Sequence, residues 1–213
     1  MVHSKRPVIG VLAQEISRKV IPESITGNSY IASSYVKYLE AAGADVIPIL
    51  IDATEQEIEE LFYCINGILI PGGGASLSDS KYISNARIVY NMAKQANNNG
   101  IYFPIWGTCL GFEALAVLET DASVLDACDA IDVPLPLEFS GLAKESKMLH
   151  SLPKELFDIY VGSPVTYNYH QKCLATEKFS RCPKLQSMFK VLACNHDRNG
   201  KQFVSAVEGR SEI

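Results

Sequence analysis

One cysteine in this sequence lies where a nucleophile could be presented to a substrate. Residues 107–111 read GTCLG, so Cys109 lies between two glycines, after an apolar run of strand length and before a helical segment. Flanking glycines allow a sharp strand-to-helix turn. The N-terminus of a helix favours a thiolate through its dipole and its free amides. This pattern predicts a cysteine nucleophile, and the alternative is a buried structural cysteine beside a helix cap.

A second glycine-rich loop could supply the rest of such a site. Residues 71–74 read PGGG and follow the apolar run GILI at 67–70. The backbone N–H of Leu110, directly after the cysteine, could donate to an oxyanion, and the N–H of Gly73 could be the second donor. We therefore predict an oxyanion hole formed by Gly73 and Leu110.

Strands and helices alternate around these two loops. Apolar runs predict strands over residues 8–12, 45–51, 67–70 and 102–106. Helical spacing predicts helices over residues 31–42, 55–64, 81–96 and 111–118, the second with a capping box at Thr54 and Glu57. This order is typical of an α/β fold with a parallel sheet, in which ligands bind beyond the carboxyl ends of the strands. Both glycine loops follow such ends.

The second half of the sequence is less regular. We expect a strand with edge-type prolines at 131–136, a short helix near 147–157 and an extended segment at 160–169. Residues 188–194 and 202–207 predict a hairpin, because Asn199-Gly200 supplies the positive φ values of a tight turn. No linker or repeat interrupts the chain, and we predict one domain over residues 1–213.

Composition excludes several classes of function. The chain has 213 residues, 47 % of them apolar, and a net charge of −5, which argues against a nucleic-acid partner. Its apolar runs are too short to cross a bilayer. Six cysteines form no C-x-x-C pair and four histidines are scattered, so we expect neither a metal site nor a cofactor. The first apolar run reads as a strand rather than a signal peptide, which predicts a cytoplasmic chain as written.

Several stretches together resemble a known family of enzymes. PVIGVL, YIASSYVKYLEAAGADVIPI, INGILIPGGG, YFPIWGTCLGFEALA and NYH at 168–170 are similar to the γ-glutamyl hydrolases. Those are cysteine enzymes of the class I glutamine amidotransferase-like fold, a flavodoxin-like three-layer sandwich. The resemblance covers nearly the whole chain. It implies cleavage of the γ-glutamyl bonds of folylpoly-γ-glutamates, a lysosomal or extracellular location, and a homodimer.

The same resemblance assigns roles to individual residues. Cys109 matches the nucleophile, and Gly73 and Leu110 match the oxyanion donors. His170 matches a histidine near the substrate, and the flanking Gly72 and Gly74, with Glu113, are expected to contact substrate. The amidotransferases carry a glutamine where this chain has Glu113, so the carboxylate favours a hydrolase over a glutaminase subunit. The plainer account is that Glu113 stabilises the first turn of its helix through the dipole.

One part of the family pattern has no match in this chain. The family's base is a histidine in a W-H-P-E-like stretch with an orienting glutamate, whereas this sequence reads FVSAVEGRSEI to its end. The expected base histidine and its glutamate are therefore not present, a last strand and helix are expected to be missing, and Glu208 is not the family acid. His150 and His196 are expected at the surface, which leaves His170 as the best substitute base. An inactive or impaired family member is the alternative to an active hydrolase.

Overall fold

A computed structural model describes residues 6–16, 24 and 26–210 of the chain. These residues form two compact units, one up to Leu118 and one from Glu119. The predicted single domain over residues 1–213 stays a prediction. No helix in this part of the chain is long and apolar enough to cross a membrane.

The described residues of the first unit form six strands and four helices. The strands are β1 (Val8–Leu12), β2 (Gln14–Glu15), β3 (Ser29–Tyr30), β4 (Asp45–Ile49), β5 (Gly67–Ile70) and β6 (Ile105–Gly107). The helices are α1 (Ser33–Ala41), α2 (Glu55–Phe62), α3 (Lys81–Asn98) and α4 (Leu110–Glu119). All eight elements predicted for this half are present, and Thr54 with Glu57 forms the predicted capping box of α2. The sequence did not predict the short antiparallel pair β2–β3.

Four of these strands form a parallel sheet in the order β4-β1-β5-β6. All four residues of β5 are buried, which explains why its sequence is continuously apolar rather than alternating. Val11 and Leu12 of β1 are fully buried at the centre of the sheet. The predicted α/β fold with a parallel sheet is therefore confirmed.

The two glycine loops leave the same edge of this sheet. β5 and β6 are adjacent and parallel, with Ile70 opposite Gly107 at their last residues. The PGGG loop follows Ile70, and Thr108-Cys109 follows Gly107. The sheet topology thus brings the predicted nucleophile and the predicted oxyanion loop together.

The second unit is built from antiparallel strands and short helices. Its strands are β7 (Asp126–Leu135), β8 (Glu138–Phe139), β9 (Thr166–Cys173), β10 (Phe189–His196) and β11 (Gln202–Gly209). Its helices are α5 (Lys154–Gly162), α6 (Thr176–Arg181) and α7 (Pro183–Met188), with 3₁₀ turns at Ala122–Val124 and Gly141–Glu145. β7 pairs with β9, and a second sheet has the order β11-β10-β8. The predicted hairpin is confirmed as β10–β11.

Two predicted elements of this unit are wrong in their bounds. The helix predicted near 147–157 begins only at Lys154, directly after Pro153. A proline disfavours the helical conformation of the residue before it, so this start had a local signal that the prediction did not use. Residues 160–162, predicted as extended, complete α5, and the strand that follows runs from Thr166 to Cys173.

Candidate active site

Cys109 lies at a strained turn between β6 and α4. Its φ angle is 54°, in the left-handed region that side chains with a Cβ rarely adopt. The N–H of Thr108 donates to the carbonyl of Ile70 at 3.1 Å, which ties the turn to the neighbouring strand β5. Cys109 is half-buried, so its sulfur is neither sealed in hydrocarbon nor fully exposed. The predicted strand-to-helix corner is therefore present.

The glycine after the nucleophile is required by close packing. A Cβ added to Gly111 would overlap the carbonyl oxygen of Ile70. Without a side chain, Gly111 lets the first turn of α4 approach the end of β5. This approach holds the start of α4, and with it the Leu110 amide, next to the glycine loop that follows β5.

The PGGG loop is held in place by a buried glutamine. Gln14 is 1 % exposed, and its Nε2 donates to the carbonyl of Gly72 at 2.7 Å. Its Oε1 accepts from the N–H of Gly74 at 3.2 Å. A Cβ on Gly73 would overlap the Gln14 amide group, so the glycine permits this contact. Gln14 thus binds the residues on both sides of Gly73 and leaves the N–H of Gly73 available.

Two tyrosines fix the start of the same loop. The hydroxyl of Tyr35 accepts from the N–H of Gly72 at 2.9 Å. The hydroxyl of Tyr82, a fully buried residue of α3, donates to the carbonyl of Pro71 at 2.7 Å. Burial raises the pKa of both phenols, so both stay neutral near pH 7. Neutral hydroxyls can hold this loop without adding charge beside the thiol.

Two backbone amides converge on the sulfur of Cys109. The backbone N–H groups of Leu110 and Gly73 both lower the pKa of the Cys109 thiol, as donors near its sulfur do. Leu110 is the first residue of α4, and Gly73 is an exposed residue of the loop. The structure therefore brings together the three residues for which a nucleophile and an oxyanion hole were predicted. Their catalytic roles stay predictions.

Burial raises the pKa of the Cys109 thiol above its ordinary value, and the Glu113 carboxylate raises it further. The two amides act in the opposite direction but do not cancel these effects. The thiol is thus protonated near neutral pH in the free protein. A group that removes the proton is needed before the sulfur can attack.

Glu113 is a buried carboxylate close to this thiol. It is 8 % exposed and lies in the first turn of α4, where its N–H donates to the carbonyl of Cys109 at 3.0 Å. The position of Glu113 in the first turn agrees with the plainer account, in which the carboxylate stabilises the helix N-terminus. Its effect on the thiol pKa adds an electrostatic link to the nucleophile. Contact of Glu113 with substrate stays a prediction.

The histidines that could act as a base lie in the second unit. His170 is half-buried on β9, with its ring centroid 6.4 Å from that of Phe203. His150 and His196 are exposed, as predicted, and contact the Lys147 carbonyl and the Glu138 carboxylate respectively. The structure does not bear on whether His170 approaches Cys109, so its proposed position near substrate stays a prediction.

Glu208 has a structural environment in the second unit. It pairs with the ammonium of Lys190 and accepts from the Ser146 hydroxyl at 2.6 Å. Among the described residues, no three His, Cys, Asp or Glu side chains form a group able to hold a metal ion.

Sequence reasoning missed the residues that hold the oxyanion loop. Gln14, Tyr35 and Tyr82 lie on three separate elements, and each reaches the loop only after folding. A signal existed for one of them, because Gln14 is the first polar residue after strand β1, from which Ala13 separates it. Parallel sheets place such residues at the ligand-binding edge.

Comparisons with known proteins identify a family and several relatives of this chain. A family model described as Peptidase C26 matches residues 7–199. The human γ-glutamyl hydrolase is 45 % identical over 207 residues, covering 97 % of this chain and 64 % of that protein. γ-Glutamyl hydrolase B of Dictyostelium discoideum is 36 % identical, over 96 % of this chain and 59 % of its own length. The chain thus spans about three fifths of the curated relatives it matches.

A solved structure shares the fold at low sequence identity. The crystal structure of SMU.1228c superposes with a TM-score of 0.57 and 17 % identity, over 96 % of this chain and 73 % of that one. The α/β fold and the resemblance to γ-glutamyl hydrolases, both predicted from sequence, are confirmed.

Proposed function

Because the chain belongs to the peptidase C26 family, we propose that it is a cysteine-type γ-glutamyl hydrolase that acts on folylpoly-γ-glutamates. The observation that carries this proposal is the convergence of the Gly73 and Leu110 amides on the sulfur of Cys109. These donors surround the place where the oxygen of an attacked carbonyl would gain negative charge. The relatives named as γ-glutamyl hydrolases supply the substrate class.

The geometry supports a two-step acyl transfer. The Cys109 thiolate attacks the γ-carbonyl carbon of a glutamyl residue, and the resulting oxyanion accepts hydrogen bonds from Gly73 and Leu110. Collapse of this intermediate expels the amine of the next glutamate and leaves a γ-glutamyl thioester on Cys109. Water then attacks the thioester carbonyl, which releases the γ-carboxylate and restores the thiol.

Because the pKa of Cys109 is raised, the proposed reaction needs a general base. The base must take the thiol proton and later return a proton to the departing amine. His170 is the residue that we propose for contact with substrate, in line with the family resemblance, and it is the first histidine to test as this base.

An impaired family member is the second candidate. The raised pKa of Cys109 favours it, since a thiol without a nearby base stays protonated and attacks slowly. A glutaminase subunit is less well supported. The buried Glu113 puts a carboxylate beside the thiol where the amidotransferase pattern has a neutral glutamine.

A hydrolysis assay of matched variants distinguishes an active hydrolase from an impaired family member. The purified chain is incubated with a pteroyl tri-γ-glutamate, and released glutamate is measured for wild type, Cys109→Ala and Cys64→Ala. Cys64 is an exposed cysteine of the same unit, so its loss controls for removal of any thiol. We expect wild type and Cys64→Ala to release glutamate and Cys109→Ala to fall to background. Background rates for all three proteins would reject the hydrolase and favour the impaired member.

We also propose the family's location and assembly for this protein. A lysosomal or extracellular location and a homodimer follow from the resemblance. Fractionation of the source cells and sedimentation of the purified chain test them. A cytosolic pool alone, or a monomer at micromolar concentration, would reject the corresponding proposal.

A further inference from the structure

Two cysteines outside the proposed catalytic site lie side by side in the second unit. Cys173 is the last residue of β9 and lies opposite Asp126 of the antiparallel partner β7. Cys128 lies two residues further along β7, within the register shift between Ala127 and Ala130. Such a bulge redirects a side chain relative to the regular ladder. Cys128 packs against the buried cluster that contains Cys173, and its thiol is near enough to raise the pKa of Cys173.

We propose that Cys128 and Cys173 form a disulfide that cross-links β7 to β9. The pair adjoins an apolar cluster in which Cys173, Ala130 and Phe203 are buried and Cys128 packs against them. An apolar, solvent-poor surrounding suits a neutral disulfide, which removes two weakly satisfied S–H groups. Diagonal neighbours in a regular antiparallel pair lie about 7–8 Å apart, so the bond requires the irregular backbone between Ala127 and Ala130 to bring Cys128 towards Cys173.

The two thiols have different parts in forming the bond. Cys173 is 3 % exposed, and burial raises its pKa, so it is the poorer nucleophile at first. Cys128 is only half-buried and is the sulfur that a small oxidant can reach. The oxidant that we infer is a low-molecular-weight disulfide such as oxidised glutathione. Cys128, as its thiolate, attacks one sulfur and releases the first glutathione thiolate.

The second step closes the protein disulfide. Cys173 loses its proton and attacks the Cys128 sulfur of the mixed disulfide, which releases the second glutathione. The protein loses two protons and two electrons in total, and the glutathione disulfide is reduced to two thiols, so atoms and electrons balance. The bond closes a loop that contains α5 and most of β9, which limits the unfolded chain and stabilises the folded one.

The proposed disulfide would stabilise the pairing of β7 with β9 in the second unit. β7 and β9 form a two-stranded sheet among the described residues, so this pair lacks a third strand to reinforce it. His170 lies three residues before Cys173 on β9 and faces Ala130 of β7. A covalent link at this end would hold the strand that carries His170 in register. The inference rests on this strand pair alone and does not depend on hydrolytic activity.

Mass measurement of the full chain tests the proposal. The reduced protein is equilibrated with a mixture of oxidised and reduced glutathione, denatured, and alkylated. We expect wild type to lose two of the six alkyl labels that the reduced chain takes up, with no glutathione adduct remaining. Cys128→Ser and Cys173→Ser should each form a mixed disulfide or stay reduced. Cys182→Ser, a half-buried cysteine outside the pair, should still lose two labels.

A thermal measurement provides a second readout. The oxidised wild type should melt several degrees above the reduced wild type, and this difference should vanish in the Cys128→Ser, Cys173→Ser double variant. Retention of all labels by wild type in oxidising buffer would overturn the proposal. Loss of two labels without a glutathione adduct in either single variant of the pair would overturn it as well.

Discussion

At the scale of single residues, the main feature of the site is the environment of the Cys109 sulfur. Cys109 takes a strained backbone angle and has two amide donors near its sulfur, yet burial and Glu113 keep its thiol protonated. The two effects are compatible in an acyl-transfer enzyme. The amides are placed for a charge that exists only during reaction, and the thiolate forms when a base acts.

Neutralising Glu113 should make Cys109 more reactive. Glu113→Gln removes a negative charge beside the thiol, so the pKa of Cys109 should fall and its thiolate fraction at pH 7–8 should rise. The measurement is the rate of iodoacetamide alkylation of Cys109 against pH, followed by peptide mass. Glu59→Gln, which changes an exposed carboxylate of α2, is the control and should leave the profile unchanged. A profile that stays the same in Glu113→Gln would contradict the electrostatic link.

Removing the Gln14 side chain should impair the oxyanion loop more than the fold. Gln14→Ala breaks the hydrogen bonds to Gly72 and Gly74, so the Gly73 amide loses its fixed position. Loss of one oxyanion donor costs about 100- to 1,000-fold in rate, and a misplaced donor should cost at least about 10-fold in kcat with a smaller change in KM. Steady-state hydrolysis measures this split.

The control for that experiment is another glutamine. Gln56→Ala changes an exposed residue of α2 whose side chain donates to the Glu60 carboxylate, and it should leave kcat unchanged. Circular dichroism confirms that both variants are folded. A Gln14→Ala protein that is folded and keeps the wild-type kcat would show that Gln14 does not position the loop.

At the scale of elements, most of the first unit was predictable and most of the second unit's detail was not. The buried strands of the parallel sheet carry continuous apolar runs, and their helices carry caps and breakers, so local sequence determined them. The segment before α5 is held by the contact of Met148 with Glu208, and the oxyanion loop depends on Gln14, Tyr35 and Tyr82. These contacts join residues far apart in the chain. Periodicity and capping rules contain no information about them.

The close approach of α4 to β5 should not tolerate a side chain at Gly111. Gly111→Ala places a methyl group on the Ile70 carbonyl, so the helix or the strand must move. Overpacking of this kind costs about 1–3 kcal/mol or more, and contact with rigid backbone places this case at the upper end. Urea denaturation of Gly111→Ala measures the loss. Gly141→Ala, with open space around the new methyl group, should be nearly neutral, and equal effects of the two changes would contradict the packing argument.

The Glu208 contacts should govern acid stability of the second unit. Burial alone would raise the pKa of Glu208, but Lys190, the Ser146 hydroxyl and the Met148 amide together lower it to about 2. An unfolded glutamate titrates near 4.3. The folded pKa is the lower one, so this stabilisation is complete above about pH 5 and is lost as the pH falls towards 2.

Glu208→Gln should therefore be less stable than wild type at pH 7 and lose less stability between pH 5 and pH 2. Chemical denaturation at several pH values in this range measures the difference. Glu155→Gln, at an exposed position of α5, should follow the wild-type curve. Parallel curves for Glu208→Gln and wild type would show that this carboxylate does not stabilise the folded state.

At the scale of the whole molecule, the two units carry different parts of the proposed function. The first unit holds the thiol, both amide donors and the residues that position them. The second unit holds His170, the cysteine pair of β7 and β9, and the Glu208 contacts. The match to the family model runs through both units, over residues 7–199.

Covalent labelling tests the central claim most directly, which is that Cys109 is a nucleophile presented to a γ-glutamyl carbonyl. The full chain is treated with a glutamate analogue that carries a chloromethyl ketone in place of the γ-carboxamide, and the adduct is located by mass spectrometry. We predict one adduct, on Cys109, which forms more slowly when a pteroyl poly-γ-glutamate competes. If the most exposed thiols react first, with Cys64 modified before Cys109, and the competitor does not slow the reaction of Cys109, the account is contradicted.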